Sequence, residues 1–189
     1  MTRAVLVLAA ACALFTALPA HGGQAPRTLL QYGDSLSVGT GLYLAASLRG
    51  WSVSESYGVS RHAYEAPAGL RALGVGLPRV IVLSLGTNDD PSAVARFSRY
   101  VRDVVSIAGP DRCVIWSTIV RPAYAGVSYD GYNAVLRRAA RRHRTLRVFD
   151  WQAMARANPQ WFGGDGVHPA AAGYRARAAA LARLAKSCP

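Results

Sequence analysis

The chain has 189 residues, of which 51% are hydrophobic and 17% are charged. This composition is too apolar for a disordered protein and too poor in charge for a coiled coil, and the length suits one globular domain. Lysine and arginine outnumber aspartate and glutamate by 22 to 10, a formal net charge of +12. A surface field of one sign attracts any polyanion, so charge alone does not identify a partner.

The start of the chain has the pattern of a secretory signal peptide. Arg3 precedes an apolar run over 4–18, and the sequence PAHGG follows at 19–23. The run is shorter than the roughly 20 residues that a membrane-spanning helix requires. We therefore predict a cleaved signal peptide over 1–22 and a single domain over 23–189, in a secreted or extracytoplasmic protein without a membrane span.

Short β-rich apolar runs alternate with helical stretches in the rest of the chain. Strands are expected at 28–32, 51–56, 80–85, 113–119 and 146–149, and helices at 36–48, 66–73, 91–107, 129–142 and 170–185. This alternation is typical of parallel strands joined by crossover helices, and it predicts an α/β fold with a sheet of about five strands. Ligands of such open sheets bind beyond the carboxyl ends of the strands.

Four polar segments lie where such a site is expected. They are GDSL at 33–36, YG at 57–58, GTND at 86–89 and DGVHP at 165–169. The first three follow predicted strands, and the fourth precedes the last predicted helix. A serine at a strand-to-helix turn lies at a helix N-terminus, where unpaired N–H groups favour negative charge.

The residue types in these segments fit nucleophilic catalysis. A serine hydroxyl such as Ser35 needs a base, which in turn needs an acid to orient it, and His168 and Asp165 are close enough in sequence to supply both. The backbone N–H groups of Ser35 and Gly58 and the amide of Asn88 are candidate donors to an oxyanion. Each residue alone has an ordinary structural alternative as a cap or turn former, and the combination is what indicates catalysis.

At these positions the sequence resembles the SGNH or GDSL hydrolase family. Ser35 matches the family's nucleophile, Gly58 and Asn88 its oxyanion residues, and Asp165 and His168 its acid and base. The resemblance implies a three-layer α/β/α sandwich with a parallel sheet of about five strands. It also implies ester hydrolysis through an acyl-serine intermediate without a cofactor.

A narrower similarity lies in the C-terminal third. VFDW at 148–151 and NPQWF at 158–162 precede DGVHP, an order that looks like the SGNH domains of bacterial cell-wall O-acetyltransferases. It implies acetyl transfer to a polysaccharide as an alternative. We predict hydrolysis, because Gly58 and Asn88 are both present and no membrane acyl-delivery domain is fused to the chain. A non-catalytic polyanion-binding module is the third alternative.

Three further residues are candidates for substrate binding. Arg61 follows the second segment and is a candidate substrate anchor. Trp161 and Phe162 have two interpretations: they line an acyl or sugar subsite beside His168, or they cover an edge of the sheet.

Cys113 and Cys188 are the cysteines that remain after removal of the signal peptide. Because disulfides persist in exported proteins, the pair is a candidate disulfide. The remaining histidines lack the spacing of metal ligands, so neither a metal nor a cofactor is predicted.

The expected partners follow from these interpretations. We expect a monomer that acts on a small-molecule or polysaccharide ester, and the basic surface would allow electrostatic association with anionic cell-wall polymers. Nucleic acid binding is not expected, because no zinc finger, RNA-binding aromatic motif or DNA-reading helix pair accompanies the charge.

Overall fold

A computed structural model describes residues 26–189, so the signal peptide predicted at 1–22 lies outside the described residues. The strands are β1 (Thr28–Gly33), β2 (Ser52–Tyr57), β3 (Val80–Ser84), β4 (Cys113–Ser117) and β5 (Leu146–Phe149). The helices are α1 (Ser35–Ser47), α2 (Glu65–Leu73), α3 (Val94–Ala108), α4 (Asp130–Arg142), α5 (Trp151–Arg156) and α6 (Ala171–Lys186). Short 3₁₀ turns lie at Gly74–Gly76 and Pro159–Trp161.

The five strands form one parallel sheet in the order β2-β1-β3-β4-β5. Side chains alternate between its two faces, because successive residues of a strand point in opposite directions. Leu30, Ile81 and Trp116 pack with α2, α3 and α4 on one face. Leu29 and Ile115 pack with α1, α5 and α6 on the other. The predicted three-layer α/β/α fold with a five-stranded parallel sheet is therefore confirmed.

Two predicted boundaries differ from the structure by more than one residue, each for a local reason. The third helix was expected from residue 91, but α3 begins at Val94 with Ala93 as its N-cap. Asp90 accepts hydrogen bonds from the backbone N–H and hydroxyl of Ser92, so it closes a turn before the helix. The fourth strand ends at Ser117, and the side chain of Asn133 binds both backbone polar groups of Ile119.

The helix α5 (Trp151–Arg156) was not predicted from the sequence. Asp150 caps this helix by accepting a hydrogen bond of 3.1 Å from the N–H of Ala153. The six-residue helix is too short to show apolar periodicity, and the capping aspartate was the available signal.

The predicted cysteine pair is bonded in the structure. Cys113 at the start of β4 and Cys188 just after α6 form a disulfide with an S–S distance of 2.03 Å. The bond ties the end of the chain to the amino edge of the sheet. None of the helices between residues 26 and 189 has the length and hydropathy that crossing a bilayer requires.

Candidate active site

Ser35 lies at the junction between β1, the neighbour of the central strand β3, and α1. Asp34 caps the helix, because its side chain accepts a hydrogen bond of 3.0 Å from the N–H of Leu36. Gly33 allows the turn to approach β3 closely, since a Cβ there would lie 2.7 Å from the carbonyl oxygen of Ser84. Ser35 is thus the first helical residue, and its own N–H has no acceptor within the helix.

Ser35, His168 and Asp165 form a continuous hydrogen-bonded chain. The Oγ atom of Ser35 lies 2.8 Å from Nε2 of His168. The Nδ1 atom of the same ring lies 2.6 Å from Oδ2 of Asp165. The second carboxylate oxygen of Asp165 accepts the N–H groups of Val167 and His168, which closes the loop around the acid.

The Asp165 carboxylate is held in its charged form. Its hydrogen bond with the His168 side chain, together with the two backbone N–H groups, keeps the pKa of Asp165 well below its usual range. Both side chains are open to solvent, with 54% of Asp165 and 44% of His168 exposed. Water can therefore reach the imidazole directly.

Asn88 follows β3 and faces the same space. One of its Nδ2 hydrogens is donated to the carbonyl of Arg61 at 3.2 Å, and its Oδ1 lies 3.3 Å from Nη1 of Arg121. An amide nitrogen carries two hydrogens, so the second remains for another acceptor. Because a guanidinium group can only donate hydrogen bonds, the contact with Arg121 identifies the oxygen of the Asn88 amide and so fixes the orientation of the amide group.

Arg121 is a residue that sequence analysis missed. Its Nη1 also donates to the carbonyl of Thr87 at 2.7 Å, so it links the segments after β3 and β4. The available signal was its position after a parallel strand, in the same kind of segment that identified the other candidates.

Gly58 does not have the role predicted for it. The last pair of residues between β1 and β2 is Gly33 and Tyr57. The N–H of Gly58, the next residue, donates to the carbonyl of Gly33 at 3.0 Å. The hydrogen bonds between β1 and β2 thus continue through Gly58, and its N–H is not free for a ligand.

Arg61 was predicted as a substrate anchor, but the structure places it outside the cleft. Its guanidinium donates to the carbonyl of Ser56 at 2.7 Å and lies 4.5 Å from the ring centroid of Tyr32. These contacts fasten the turn after β2, so Arg121 is the arginine that borders the cleft.

Trp161 and Phe162 lie behind the loop that carries His168 and do not line its cleft. Trp161 stacks on Trp151 with ring centroids 6.1 Å apart, and Phe162 packs on the same ring. The carbonyl of Trp161 accepts a hydrogen bond from Ala170. Of the two interpretations, covering the sheet is the one that their positions match.

The cleft itself has a volume of about 440 Å³. Segments after β2, β3 and β4 and the loop before α6 surround Ser35 and His168; the other lining residues are Val59, Ser60, Asn88, Arg121, Pro122, Ala123, Tyr124, Asp165 and Val167. Within residues 26–189, no three His, Cys, Asp or Glu side chains lie together in a way that could hold a metal ion.

A buried arginine, Arg177, joins the carboxyl ends of two strands next to the cleft. It was not predicted from the sequence. Arg177 of α6 is 1% exposed and binds the hydroxyls of Ser84 and Ser117, the last residues of β3 and β4. Its guanidinium lies 4.8 Å from the ring centroid of Trp151. Burial lowers the pKa of Arg177 to about 10, so the side chain remains charged at neutral pH.

Comparison with known proteins places the chain in a family. The GDSL-like lipase/acylhydrolase family matches residues 22–176. The chain therefore belongs to the GDSL-like lipase/acylhydrolase family, as its motifs indicated. A search of curated protein sequences finds no match.

Solved structures share the fold at low sequence identity. The C-terminal catalytic domain of peptidoglycan O-acetyltransferase A from Streptococcus pneumoniae has a TM-score of 0.72 at 20% identity, with 87% of this chain and 97% of that chain covered. A G-D-S-L family lipolytic protein from Veillonella parvula has a TM-score of 0.71 at 19% identity, covering 85% and 98%. Phospholipase A1 from Streptomyces albidoflavus has a TM-score of 0.55 at 16% identity, covering 87% and 100%.

Proposed function

We propose that the protein is a serine ester hydrolase that acts through an acyl-Ser35 intermediate. The observation that carries the proposal is the hydrogen-bonded chain from Ser35 through His168 to Asp165 at the carboxyl edge of the sheet. A hydroxyl beside an imidazole whose other nitrogen meets a carboxylate is the arrangement of an activated serine nucleophile. Membership of the acylhydrolase family supports the same class of reaction.

In the acylation step, Oγ of Ser35 forms a bond to the ester carbonyl carbon while its proton moves to Nε2 of His168. Asp165 accepts the N–H of Nδ1 and stabilises the imidazolium. The carbonyl oxygen becomes negative, and the N–H of Ser35 and the free amide hydrogen of Asn88 donate to it. Collapse of this intermediate breaks the ester C–O bond, and His168 returns the proton to the leaving alkoxide.

In the deacylation step, water attacks the acyl-serine. His168 takes a proton from the water as its oxygen bonds to the acyl carbon, and then returns a proton to Oγ as the acid departs. The exposure of the His168 and Asp165 side chains supports hydrolysis, because water has direct access to the base. A transferase has to exclude water at this step.

We infer that the substrate is a small acyl or acetyl ester. The cleft of about 440 Å³ has an exposed Ser60 and an exposed Tyr124 on its rim, so it offers a short acyl group space without a deep channel. An ester on a larger alcohol, including a polysaccharide, fits the same site, because the alcohol portion can extend into solvent.

Acetyl transfer is the second candidate function. The C-terminal segments that resemble wall O-acetyltransferases favour it, as does the fold shared with the pneumococcal catalytic domain. Both reactions share the acyl-Ser35 intermediate and differ in the nucleophile that attacks it.

Export of the protein is part of the proposal. The Cys113–Cys188 disulfide supports it, because such bonds persist in oxidising compartments. The N-terminal pattern of Arg3 and the apolar run over 4–18 supports it independently.

The test separates hydrolysis from transfer. Residues 23–189 are incubated with p-nitrophenyl acetate with and without an excess of a chitooligosaccharide acceptor, and free acetate and acetylated sugar are measured. We expect free acetate to account for most of the turnover in both cases. Acetylated oligosaccharide as the main product would overturn the hydrolase assignment in favour of transfer.

A further inference from the structure

The edge of the sheet opposite the cleft carries arginines in adjacent positions. The pairing of β3 with β4 begins at Val80 and Cys113, so Arg79 lies beside Arg112, one residue earlier on each strand. The pairing of β4 with β5 begins at Val114 and Leu146, so Arg112 lies beside Arg144, two residues earlier. The N–H of Cys113 donates to the carbonyl of Arg79 at 2.8 Å, so the hydrogen bonds of the sheet reach this edge. Neighbouring strands lie about 4.8 Å apart, and like charges at facing positions destabilise a sheet. An anion at this edge would relieve the repulsion.

These arginines line a concave site. A cavity of about 410 Å³ is bordered by Arg79, Arg112, Arg144 and Arg147, and Asp111 is the one acidic side chain that lines it. The cavity therefore has a strong excess of positive charge.

A second cavity of about 320 Å³ adjoins the first and shares Arg79 and Pro189 with it. Arg27 and Lys186 border this second cavity, and no acidic side chain among the described residues lines it. We refer to the two cavities together as the basic trough. It extends from β5 across β4 and β3 to β1, which is most of the width of the sheet.

The cations of the basic trough make no ion pair within the described part of the chain, and the anionic groups that line it are Asp111 and the α-carboxylate of Pro189. The ion pairs found between residues 26 and 189 involve none of its cations. The C-termini of the helices lie at this edge, and a helix C-terminus favours a nearby cation. This explains the position of Arg112, whose guanidinium donates to the carbonyl of Ala108 at the end of α3. Arg27 and Arg79 directly precede β1 and β3 at the same edge.

We propose that the basic trough binds a flexible anionic glycopolymer whose charges are phosphodiester groups. Guanidinium groups bind phosphate oxygens in pairs, and the cations bordering the trough are arginines with the exception of Lys186. A row of several cations matches a chain with repeated charges better than a single small anion. A sugar- or polyol-phosphate chain is thin enough to follow the two adjoining cavities.

Two other polyanions fit the basic trough less well. A bilayer surface is flat and cannot enter two concave cavities. A single-stranded nucleic acid site adds aromatic platforms for base stacking, whereas Trp51 is the one aromatic side chain among the described residues that line the trough.

The proposal goes beyond the proposed ester hydrolysis and does not depend on it. The basic trough and Ser35 lie at opposite ends of the parallel strands, so a polymer bound in the trough leaves the cleft open. Binding is measured without turnover, so a negative result for one proposal leaves the other standing.

The test uses residues 23–189 and a fluorescently labelled poly(glycerol phosphate) chain. We compare R79Q/R144Q with R99Q/R102Q, a control pair on the exposed side of α3 that lowers the net charge equally. We expect the trough pair to weaken binding at 50 mM salt at least tenfold and the control pair less than twofold. The slope of log affinity against log salt should fall by about 1.4 in the trough pair, since each lost phosphate contact accounts for about 0.7.

The controls decide between the alternatives. Equal weakening by the two variant pairs would overturn the proposal, because the net charge and not the trough would then cause binding. Tighter binding of an oligothymidylate with the same number of phosphates would also overturn it, in favour of a nucleic acid. Hydrolysis of p-nitrophenyl acetate, measured in parallel, should be unchanged in both variants.

Discussion

The side chain of Asn88 shows how neighbouring residues can prepare a single donor. Arg121 contacts its oxygen, and the carbonyl of Arg61 accepts one of its two hydrogens. The remaining N–H is therefore held in position before a substrate arrives. A donor that needs no reorganisation is the kind that stabilises a developing negative charge most effectively.

Replacing Asn88 should slow formation of the acyl-enzyme. We expect Asn88→Ala to lower its rate about 100-fold or more, because one oxyanion donor is removed. Asn88→Asp keeps an oxygen for Arg121 but has no N–H, so it should lose as much. Stopped-flow measurement of p-nitrophenol release tests both variants, and near-normal acylation in Asn88→Asp would contradict the assigned role.

Asp34 should make stability depend on pH. Burial raises the pKa of Asp34 from 3.8 to about 6, against the opposing effect of the Leu36 N–H. Between these values the folded protein holds a proton that the unfolded chain has released. The contribution of Asp34 to the free energy of unfolding therefore falls as the pH rises through this window and is lost above it.

The matched measurement is urea denaturation of the wild type and Asp34→Asn at pH 4 and pH 7. The wild type should lose roughly 2.4 kcal/mol relative to the variant between the two pH values, since each pKa unit corresponds to about 1.4 kcal/mol and part of the shift lies below pH 4. Other titrating groups contribute equally to both proteins and cancel. Parallel pH profiles would show that Asp34 ionises normally.

Among individual residues, the sequence was informative where chemistry requires a residue type at a fixed spacing. Ser35, Asp165 and His168 were found for that reason, and the structure brings their side chains together. The contact of Gly58 depends on how far the pairing between β1 and β2 extends. The contacts of Arg61 depend on the direction of the turn after β2. Neither property is encoded in local sequence.

At the scale of elements, α6 both covers the sheet and supports the cleft. Gly173, Arg177, Leu181 and Ala185 are all buried and recur every four residues along the helix. An arginine in an otherwise apolar row at this spacing was a signal for a buried charge. Periodicity predicted this helix at 170–185, within one residue of α6, but the burial of Arg177 was not predicted.

Removing the charge of Arg177 should destabilise the fold. Arg177→Met keeps much of the length and the apolar contacts with Trp151, but it leaves the hydroxyls of Ser84 and Ser117 without their donor. We expect a loss of about 2 kcal/mol in the free energy of unfolding, because buried hydroxyls are left without a hydrogen-bond donor.

Arg175→Met is the matched control for this prediction, since Arg175 is exposed on the same helix. It should change stability by about 0.5 kcal/mol or less. Urea denaturation of both variants measures the difference. Equal stability of the two variants would mean that the buried guanidinium contributes nothing to the fold.

At the scale of the whole molecule, the two ends of the parallel strands carry different features. Loops at the carboxyl ends hold the cleft, while the amino ends carry the basic trough and the disulfide. The fold class and the parallel five-stranded sheet could be predicted from the alternation of apolar runs and helical stretches, because a parallel sheet is buried on both faces. The trough could not, because it depends on a register between strands that are distant in sequence.

The disulfide should stabilise the whole domain. It closes a loop with a sequence separation of 75, for which the chain-entropy model gives about 4 kcal/mol. We expect C113A/C188A to unfold at a correspondingly lower urea concentration, with hydrolysis in native buffer retained. Intact-mass analysis of wild-type protein produced under oxidising conditions should show no alkylation without reductant, and two alkylated thiols would contradict the bond.

The central claim is that Ser35 is the nucleophile, and covalent labelling tests it most directly. Wild-type protein, Ser35→Ala and His168→Ala are treated with a serine-directed fluorophosphonate and analysed by intact mass and peptide mapping. We predict one adduct on Ser35 in the wild type, none in Ser35→Ala and much slower labelling in His168→Ala. An adduct on another residue, or ester hydrolysis that survives Ser35→Ala in a folded protein, would contradict the account.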